Sequence, residues 1–394
     1  MNEEEFMRTV RDLELYGKKV IIRCDFNVPI EDGEITDDNR IKASLVTIKH
    51  ALAKGGRVIL MSHLGRIKSE EDKQKNSLKV VAQRLEQLLR QDVLFLNTTR
   101  DVEKQLDTLK NGQLALLENT RFEDYPDQLE SKNDFKLAKY WASLGEVFVN
   151  DAFATSHRAH ASNVGIATHL PSVIGFLVEK ELQQLKKVEN PARPYVVILG
   201  GAKVADKIPL IENLVNKADY VLIGGGIANT FIKAKGHEVG KSLIDEDSIE
   251  FCKKLMAKSD KIIIPIDVKI APEISKDVTG EIVNIDQIKP DMQCLDIGPL
   301  TLELFKKHLA TAKTVVWNGT VGYAELVNFS FGTRELASYL KRLDAITIIG
   351  GGDTAAAVIK MGFTGGFSHI STGGGASIEM LEGKELIGIK VINR

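Results

Sequence analysis

The sequence predicts an α/β protein made of two doubly wound parallel sheets. Three observations carry that expectation. Ten short, β-branched apolar runs recur along the 394 residues, stretches between them show helical periodicity, and the turns after the runs are polar or glycine-rich. Short buried strands alternating with amphipathic helices build parallel sheets covered on both faces. Ten strands are many for one sheet, and two sheets of about five suit the length.

The first five runs are residues 19–22, 57–61, 93–96, 114–117 and 147–149. The second five are 195–199, 220–223, 262–266, 314–317 and 346–349. After the first run, Asp37-Asp38 can cap a helix whose apolar face is Ile41, Leu45, Ile48 and Leu52, and Gly55-Gly56 stops it. Residues 176–188 read as one helix. The stretch Asn190-Pro191-Ala192-Arg193-Pro194 ends it, because proline cannot continue a helix and biases the residue before it away from one. This divides the chain into an N-terminal domain (1–175), a connecting helix (176–190) and a C-terminal domain starting at 191.

Bulk composition excludes several classes of function. Lys and Arg number 52 against 54 Asp and Glu, a net charge of −2, which lacks the basic surplus of a general nucleic-acid binder. The start, Met1-Asn2-Glu3-Glu4-Glu5-Phe6, is acidic and has no apolar core of a secretory signal. No apolar run approaches the roughly 18 residues of a membrane span. Cys24, Cys252 and Cys294 are far apart and form no CxxC pair, which suits reduced thiols in a reducing compartment. The expectation is a cytoplasmic protein that binds neither nucleic acid nor membrane.

Ligands of open parallel sheets gather beyond the carboxyl ends of the strands. In the first half those ends carry Asp25, Asn27, His63, Arg66, Arg121, Asn150 and Asp151, with Arg40 opening the capped helix and Arg158 a few residues further on. Arginine presents a planar fork of donors suited to carboxylate and phosphate, so this half reads as a site for a small anion. The second half differs: of 32 glycines, nine precede residue 198 and 23 follow it. They cluster after strands as Gly200-Gly201, Gly224-Gly225-Gly226, Gly319 and Gly350-Gly351-Gly352, with Gly373-Gly374-Gly375 before a helical pattern. A glycine turn opening a helix points free N–H groups at a phosphate. Lys203 and Lys207 follow the first cluster, and Asp353 follows the fourth, where it can hold a magnesium ion carried by a nucleotide.

Two apparent motifs fail. Gly236–Ser242 has three residues between its glycines where a Walker loop has four, and it follows a helical stretch. Gly350-Gly351-Gly352-Asp353-Thr354-Ala355 fits the dinucleotide fingerprint, but no acidic residue ends a strand about 20 residues on. A small-anion site on one half and a phosphate-rich site on the other suggest transfer between two substrates. On residues alone, a nucleotide-dependent transferase acting on some other small acid, or a silent binding protein, stays open.

Ordered blocks along the whole chain narrow this. They are Arg23-Cys24-Asp25-Phe26-Asn27-Val28-Pro29, Ser62-His63-Leu64-Gly65-Arg66, Leu117-Glu118-Asn119-Thr120-Arg121-Phe122, and Asn150-Asp151-Ala152-Phe153 with His157-Arg158-Ala159-His160. In the second half they are Gly200-Gly201-Ala202-Lys203-Val204-Ala205-Asp206-Lys207, Gly224-Gly225-Gly226-Ile227-Ala228-Asn229-Thr230-Phe231, Trp317-Asn318-Gly319, Gly350 to Thr354, and Ser371-Thr372-Gly373-Gly374-Gly375-Ala376-Ser377. With these blocks the chain resembles phosphoglycerate kinases over essentially its full length.

The resemblance implies two Rossmann-like lobes with a cleft between them, in a monomer. The C-terminal domain would end at 376, and residues 377–394 would pack back on the N-terminal domain. That domain would bind 3-phosphoglycerate or 1,3-bisphosphoglycerate through Asp25, Phe26, Asn27, Arg40, His63, Leu64, Gly65, Arg66, Arg121 and Arg158. The C-terminal domain would bind ADP or ATP with Mg2+ through Gly201, Ala202, Lys203, Lys207, Gly225, Leu295, Asn318, Gly322, Glu325, Gly350, Gly351, Gly352, Asp353 and Thr354. Asp353 would hold the metal and Glu325 the ribose. Arg40, Lys203 and the N–H groups of Gly373, Gly374 and Gly375 would serve the transition state. The sequence departs from the family pattern at Ile67, Thr320, Tyr323-Ala324 and Cys294, none of them a charged position.

Overall fold

The computed structural model describes residues 7–392; the acidic start Met1 to Phe6 and the last two residues lie outside them. The chain divides into two compact units. One holds the chain up to Gln183 and again from Glu385, and the other is Gln184–Lys384.

The first unit is built on a six-stranded sheet, parallel throughout. Its order is Val93–Leu96, Leu114–Leu117, Arg57–Met61, Lys19–Arg23, Val147–Asn150, Ser172–Ile174. All five expected runs are strands, two of them one residue longer at the carboxyl end. Successive residues face opposite cores. Val20, Ile22, Val58 and Leu60 pack with Ile41, Ile48 and Leu85 on one side, while Ile21, Ile59 and Met61 pack with Leu137 and Trp141 on the other. Burial on both faces is why these strands read as continuous apolar runs. Helix Asn39–Ala53 buries Ile41 and Ile48 as its periodicity requires. Its start differs in detail from the expected pair of caps. The Asp37 carboxylate accepts from the Asn39 N–H at 2.8 Å, whereas Asp38 is taken by Lys42 and Arg84 at 2.7 and 2.6 Å.

The second unit holds another six-stranded parallel sheet. Its order is Ile262–Ile263, Tyr220–Ile223, Tyr195–Leu199, Thr314–Asn318, Ile346–Gly350, His369–Ile370. The run 262–266 does not stay in one sheet. Only Ile262–Ile263 pairs there, and beyond Pro265 the chain resumes as Asp267–Ala271, the centre of a three-stranded antiparallel sheet with Glu281–Asn284 and Gln293–Ile297. Proline has no N–H for a ladder, which ends the parallel strand. From Tyr195–Leu199 the next two strands lie to one side and the later three to the other. The order therefore reverses between Tyr195–Leu199 and Thr314–Asn318, and the carboxyl ends of those two strands form the crevice where such sheets bind ligands.

Helix Phe176–Lys186 spans the division between the units, and its first turn is anchored in the first. The Phe176 N–H donates to Thr47 Oγ1 and the Leu177 N–H to Asp151 Oδ1, both at 2.9 Å. Helix Gly375–Leu381 buries Ala376, Ser377 and Leu381 within the second unit, so residues 377–384 stay there. The return to the first unit begins at Glu385. The Gly388 N–H donates to the Ser156 carbonyl at 2.8 Å, and Asn150 Nδ2 donates to the Gly388 carbonyl at 3.0 Å.

Asp151 is fully buried, and desolvation pushes its carboxyl up to about 7 despite the Leu177 N–H. Between about pH 4 and 7 the unfolded chain releases a proton that the native state keeps, so this group makes stability fall as pH rises through that window. Asp151→Asn keeps the acceptor for Leu177 and removes the titration. Relative to the parent, the variant should gain about 1 kcal/mol or more between pH 4.5 and pH 8 in urea unfolding. Parallel pH profiles for the two proteins would mean that the carboxylate is ionised throughout.

Candidate active site

At the carboxyl edge of the first sheet, the loops after three strands are tied to one another by side chains. Asp25 Oδ1 accepts from the Asn27 N–H at 3.1 Å, and Asn27 Oδ1 accepts from the Gly65 N–H at 2.8 Å. The other oxygen of Asp25, whose side chain is 5% exposed, pairs with Arg40 Nη1. Asn119 Oδ1 accepts from the N–H groups of Leu64 and Arg121 at 3.1 and 3.0 Å, and its Nδ2 donates to the Leu64 carbonyl at 2.7 Å. Arg121 Nη1 reaches the Gly65 carbonyl at 3.3 Å, and its Nε is buried with no partner among the described residues.

Positive charge dominates this edge. Burial first, then Arg23, Arg121, His160 and Arg40, push the His63 imidazole well below its ordinary value. Burial and the same kind of cationic surroundings push His160 to about 3. Both rings are therefore neutral at pH 7. The charge rests on guanidinium groups, and burial together with Arg158 and Arg23 disfavours even the Arg121 cation. A buried, unpartnered guanidinium N–H among like charges lacks an anion.

The second site is a cavity of about 470 Å³ at the carboxyl edge of the second sheet, where the strand order reverses. Glycine lets the backbone close up here. Gly319 has φ +94°, and a Cβ on it would lie 2.1 Å from the Gly200 carbonyl oxygen. Lys207 Nζ donates to the Gly200 carbonyl and to Asn318 Oδ1, each at 2.7 Å, which joins the ends of the two strands. Burial lowers this ammonium to about 8, against a raising influence from Asp353. Asn318 Nδ2 is then a buried donor with no partner among the described residues. Thr354 Oγ1 accepts from the Gly319 N–H at 2.7 Å, which leaves its own hydrogen to donate. Helix Gly352–Lys360 starts here, with Gly351 before it at φ +87°, so its free N–H groups and Asp353 open at the cavity.

Of the residues expected at the nucleotide site, Gly201, Ala202, Lys203, Lys207, Gly225, Leu295, Asn318, Gly322, Glu325, Gly351, Gly352, Asp353 and Thr354 all line this cavity. Gly350 and the trio Gly373, Gly374 and Gly375 do not; helix Gly375–Leu381 contributes only Ile378. In the first unit, Asp25, Asn27, Arg40, His63, Gly65 and Arg121 are joined by hydrogen bonds or mutual charge. Arg66 and Arg158 are exposed, and Arg158 Nε contacts His157 Nε2 at 3.0 Å. The side chains of Phe26 and Leu64 belong to the core, so only their backbone can meet a ligand. Sequence reasoning missed Asn119 as the organiser of two loops, and it missed the cavity's apolar wall of Leu243, Pro265 and Ile274. Asn119 sits in the Leu-Glu-Asn-Thr-Arg block just after a strand, a signal that was available; the wall comes from irregular chain with none.

The sequence model for phosphoglycerate kinase matches residues 10–384. This chain belongs to the phosphoglycerate kinase family. It is 57% identical to the phosphoglycerate kinase of Macrococcus caseolyticus over 98% of its own length and 99% of that protein's. It is 56% identical to that of Listeria welshimeri with the same coverage. Among solved structures, the phosphoglycerate kinase of Coxiella burnetii matches with a TM-score of 0.86 at 40% identity, covering 98% of each chain. Against the phosphoglycerate kinase pattern, the departures Cys294, Thr320 and Tyr323 all line the cavity, whereas Ile67 is core. Thr320 serves the phosphate turn through its carbonyl, which accepts from the Gly201 N–H at 3.0 Å, so the change of side chain leaves that bond in place.

The cavity floor predicts a sharp contrast between two glycines. Gly319→Ala forces a Cβ into backbone at positive φ and should cost about 2 kcal/mol or more in urea unfolding. A Cβ at Gly352 meets nothing within 4 Å, and Gly352→Ala should stay within about 0.5 kcal/mol of the parent. Equal effects would show that the close approach of the turn after Leu199 to the turn after Asn318 does not limit the fold.

Proposed function

We propose that this chain performs the reaction of its family by binding the acid on the first unit's basic edge and the nucleotide in the second unit's cavity. A phosphoryl group moves reversibly between C1 of 1,3-bisphosphoglycerate and ADP, giving 3-phosphoglycerate and ATP. In one direction the β-phosphate oxygen of ADP forms a bond to the acyl phosphorus and the carboxylate leaves. In the other the carboxylate attacks the γ-phosphorus of ATP and ADP leaves. Both attacking oxygens are already anionic, so no side chain needs to act as a base and no covalent enzyme intermediate forms. Catalysis reduces to in-line positioning and to fixed positive groups that meet the charge on the moving phosphoryl.

The observation that carries this reading is the charge surplus around Arg121, whose buried Nε–H has no partner among the described residues. Arg40, Arg121 and Arg158 take the acid's carboxylate and phosphate, with Asp25 and Asn27 holding the loops and neutral His63 donating. Arg66 joins them through its free, exposed guanidinium. Lys203 and Lys207 take nucleotide phosphates, with the Gly351-Gly352 turn and Thr354 beside them. Glu325 meets the ribose, and Leu295 lines the base end with Cys294. Lys203 and the N–H groups of Gly373, Gly374 and Gly375 assist the transferring phosphoryl.

Magnesium fits as part of the nucleotide complex. No group of three or more His, Cys, Asp or Glu side chains among the described residues is arranged to hold a metal ion. Asp206, Asp296, Glu325 and Asp353 line the cavity; of these, Asp353 sits in the first turn of helix Gly352–Lys360, and one carboxylate is enough for Mg2+ when phosphates and water supply the other ligands. When bound, the ion would neutralise phosphate charge. Free thiols at all three cysteines and the family resemblance support a cytoplasmic monomer.

A coupled assay with 3-phosphoglycerate and Mg-ATP tests the assignment. Arg40→Ala should lower kcat about a hundredfold while circular dichroism shows the fold retained. An Arg40→Ala enzyme with near-parental kcat would remove Arg40 from the transition state. A parent protein inactive on 3-phosphoglycerate but active on another phosphorylated acid would overturn the substrate.

A further inference from the structure

Behind the basic edge lies a fully buried line of polar groups that no step of the reaction uses. Arg23, Glu130 and Ser162 are each 0% exposed. Ser162 donates its N–H to Glu130 Oε2 at 2.9 Å, and its hydroxyl donates to Glu130 Oε1. Burial raises the Glu130 carboxyl above its ordinary value, opposed by Arg23 and by the bonds from Ser162; the carboxylate form only accepts, and in it the single hydroxyl proton of Ser162 is committed to Glu130. Ser162 Oγ is then the acceptor for Arg23 Nε–H, at 2.8 Å. Both terminal nitrogens of the guanidinium have partners as well. Nη1 donates to the Cys24 carbonyl, and Nη2 lies 3.2 Å from His63 Nδ1. Arginine has no lone pair to offer, so Nδ1 must be the acceptor.

We infer that Glu130 and Ser162 are positioning residues which, through Arg23, hold His63 as the neutral imidazole with its only proton on Nε2. The planar fork is held at three points, which orients the ring as well as choosing its tautomer. Nε2 has no partner among the described residues and is the nitrogen left to donate to an anion. The charged and titratable groups that act most on the ring are Arg23, Arg121, Arg40 and His160, and none of them is an anion. The carboxylates of Asp25 and Glu130 act on Arg23. Glu130 supplies the compensating charge, but to Arg23 across a serine. His160 Nδ1, 3.9 Å from Glu130 Oε1, is too far for a hydrogen bond and is itself neutral. The consequence is an acid site whose histidine donates one hydrogen bond as a neutral ring at pH 7. The inference about tautomer stands on the ligand-free geometry; only its effect on substrate rests on the function proposed above.

Imidazole 15N spectra of the ligand-free protein, with His63 assigned by a His63→Gln control, read the tautomer directly. The expected result at pH 7.5 is an unprotonated Nδ1 and a protonated Nε2. A protonated Nδ1 at that pH would overturn the inference. Ser162→Ala removes the acceptor of Arg23 Nε. It should give a mixture of tautomers and raise KM for 3-phosphoglycerate about tenfold, with kcat changed less than KM. An unchanged His63 spectrum in a folded Ser162→Ala protein would also overturn it. If that variant does not fold, the parent spectrum still decides. A correct tautomer with unchanged KM would instead count against His63 as a substrate ligand.

Discussion

A single ammonium group bridges the carboxyl ends of the two paired strands between which the second sheet reverses its order. Parallel strands end with backbone groups that no neighbour pairs, and at a reversal point the connecting chains leave in opposite directions. Lys207 fills that gap by donating to the Gly200 carbonyl and to Asn318 Oδ1. With Oδ1 occupied, Asn318 is oriented and its Nδ2 becomes a free donor. The turns around it are so close that a Cβ on Gly200, Gly225 or Gly319 would meet backbone at 2.0 to 2.6 Å. The cavity, the start of helix Gly352–Lys360 and the Thr354 bond to Gly319 all depend on these two strand ends staying together.

In the function proposed above, the two units would meet anions in opposite ways. The first would use guanidinium groups on loops that Asn119, Asn27 and Asp25 tie together, beside His63 and His160, which are neutral at pH 7. The second would use backbone N–H groups at glycine turns and helix starts, supplemented by Lys203 and Lys207. The glycine asymmetry of the sequence fits this difference: a small acid would be met by side chains, and a chain of phosphates by backbone.

The strands were legible because burial on both faces leaves continuous apolar runs. The strands that escaped lack that mark. Ser172–Ile174 and His369–Ile370 are short strands at the ends of their sheets, and Glu281–Asn284 is mostly exposed. The glycine turns and strand-end arginines were legible because strand ends are where ligands bind. Their support was not: Arg23 and Ser162 are 139 residues apart, and nothing local marks a buried serine as the link between an arginine and a glutamate. Nor did sequence place Gly373, Gly374 and Gly375 beside the cavity wall rather than on it.

Lys207 offers the most direct test of the account as a whole. Burial holds its ammonium near 8, so at pH 8.5 most of the free protein carries it neutral. Nucleotide phosphates are fully ionised at that pH, and their arrival would restore the charge. Titrating Mg-ADP at pH 8.5 in two buffers of different ionisation heat should show uptake of a large part of one proton per site, lost in Lys207→Met. Identical heats in both buffers, or undiminished uptake in the variant, would contradict a phosphate site built around Lys207.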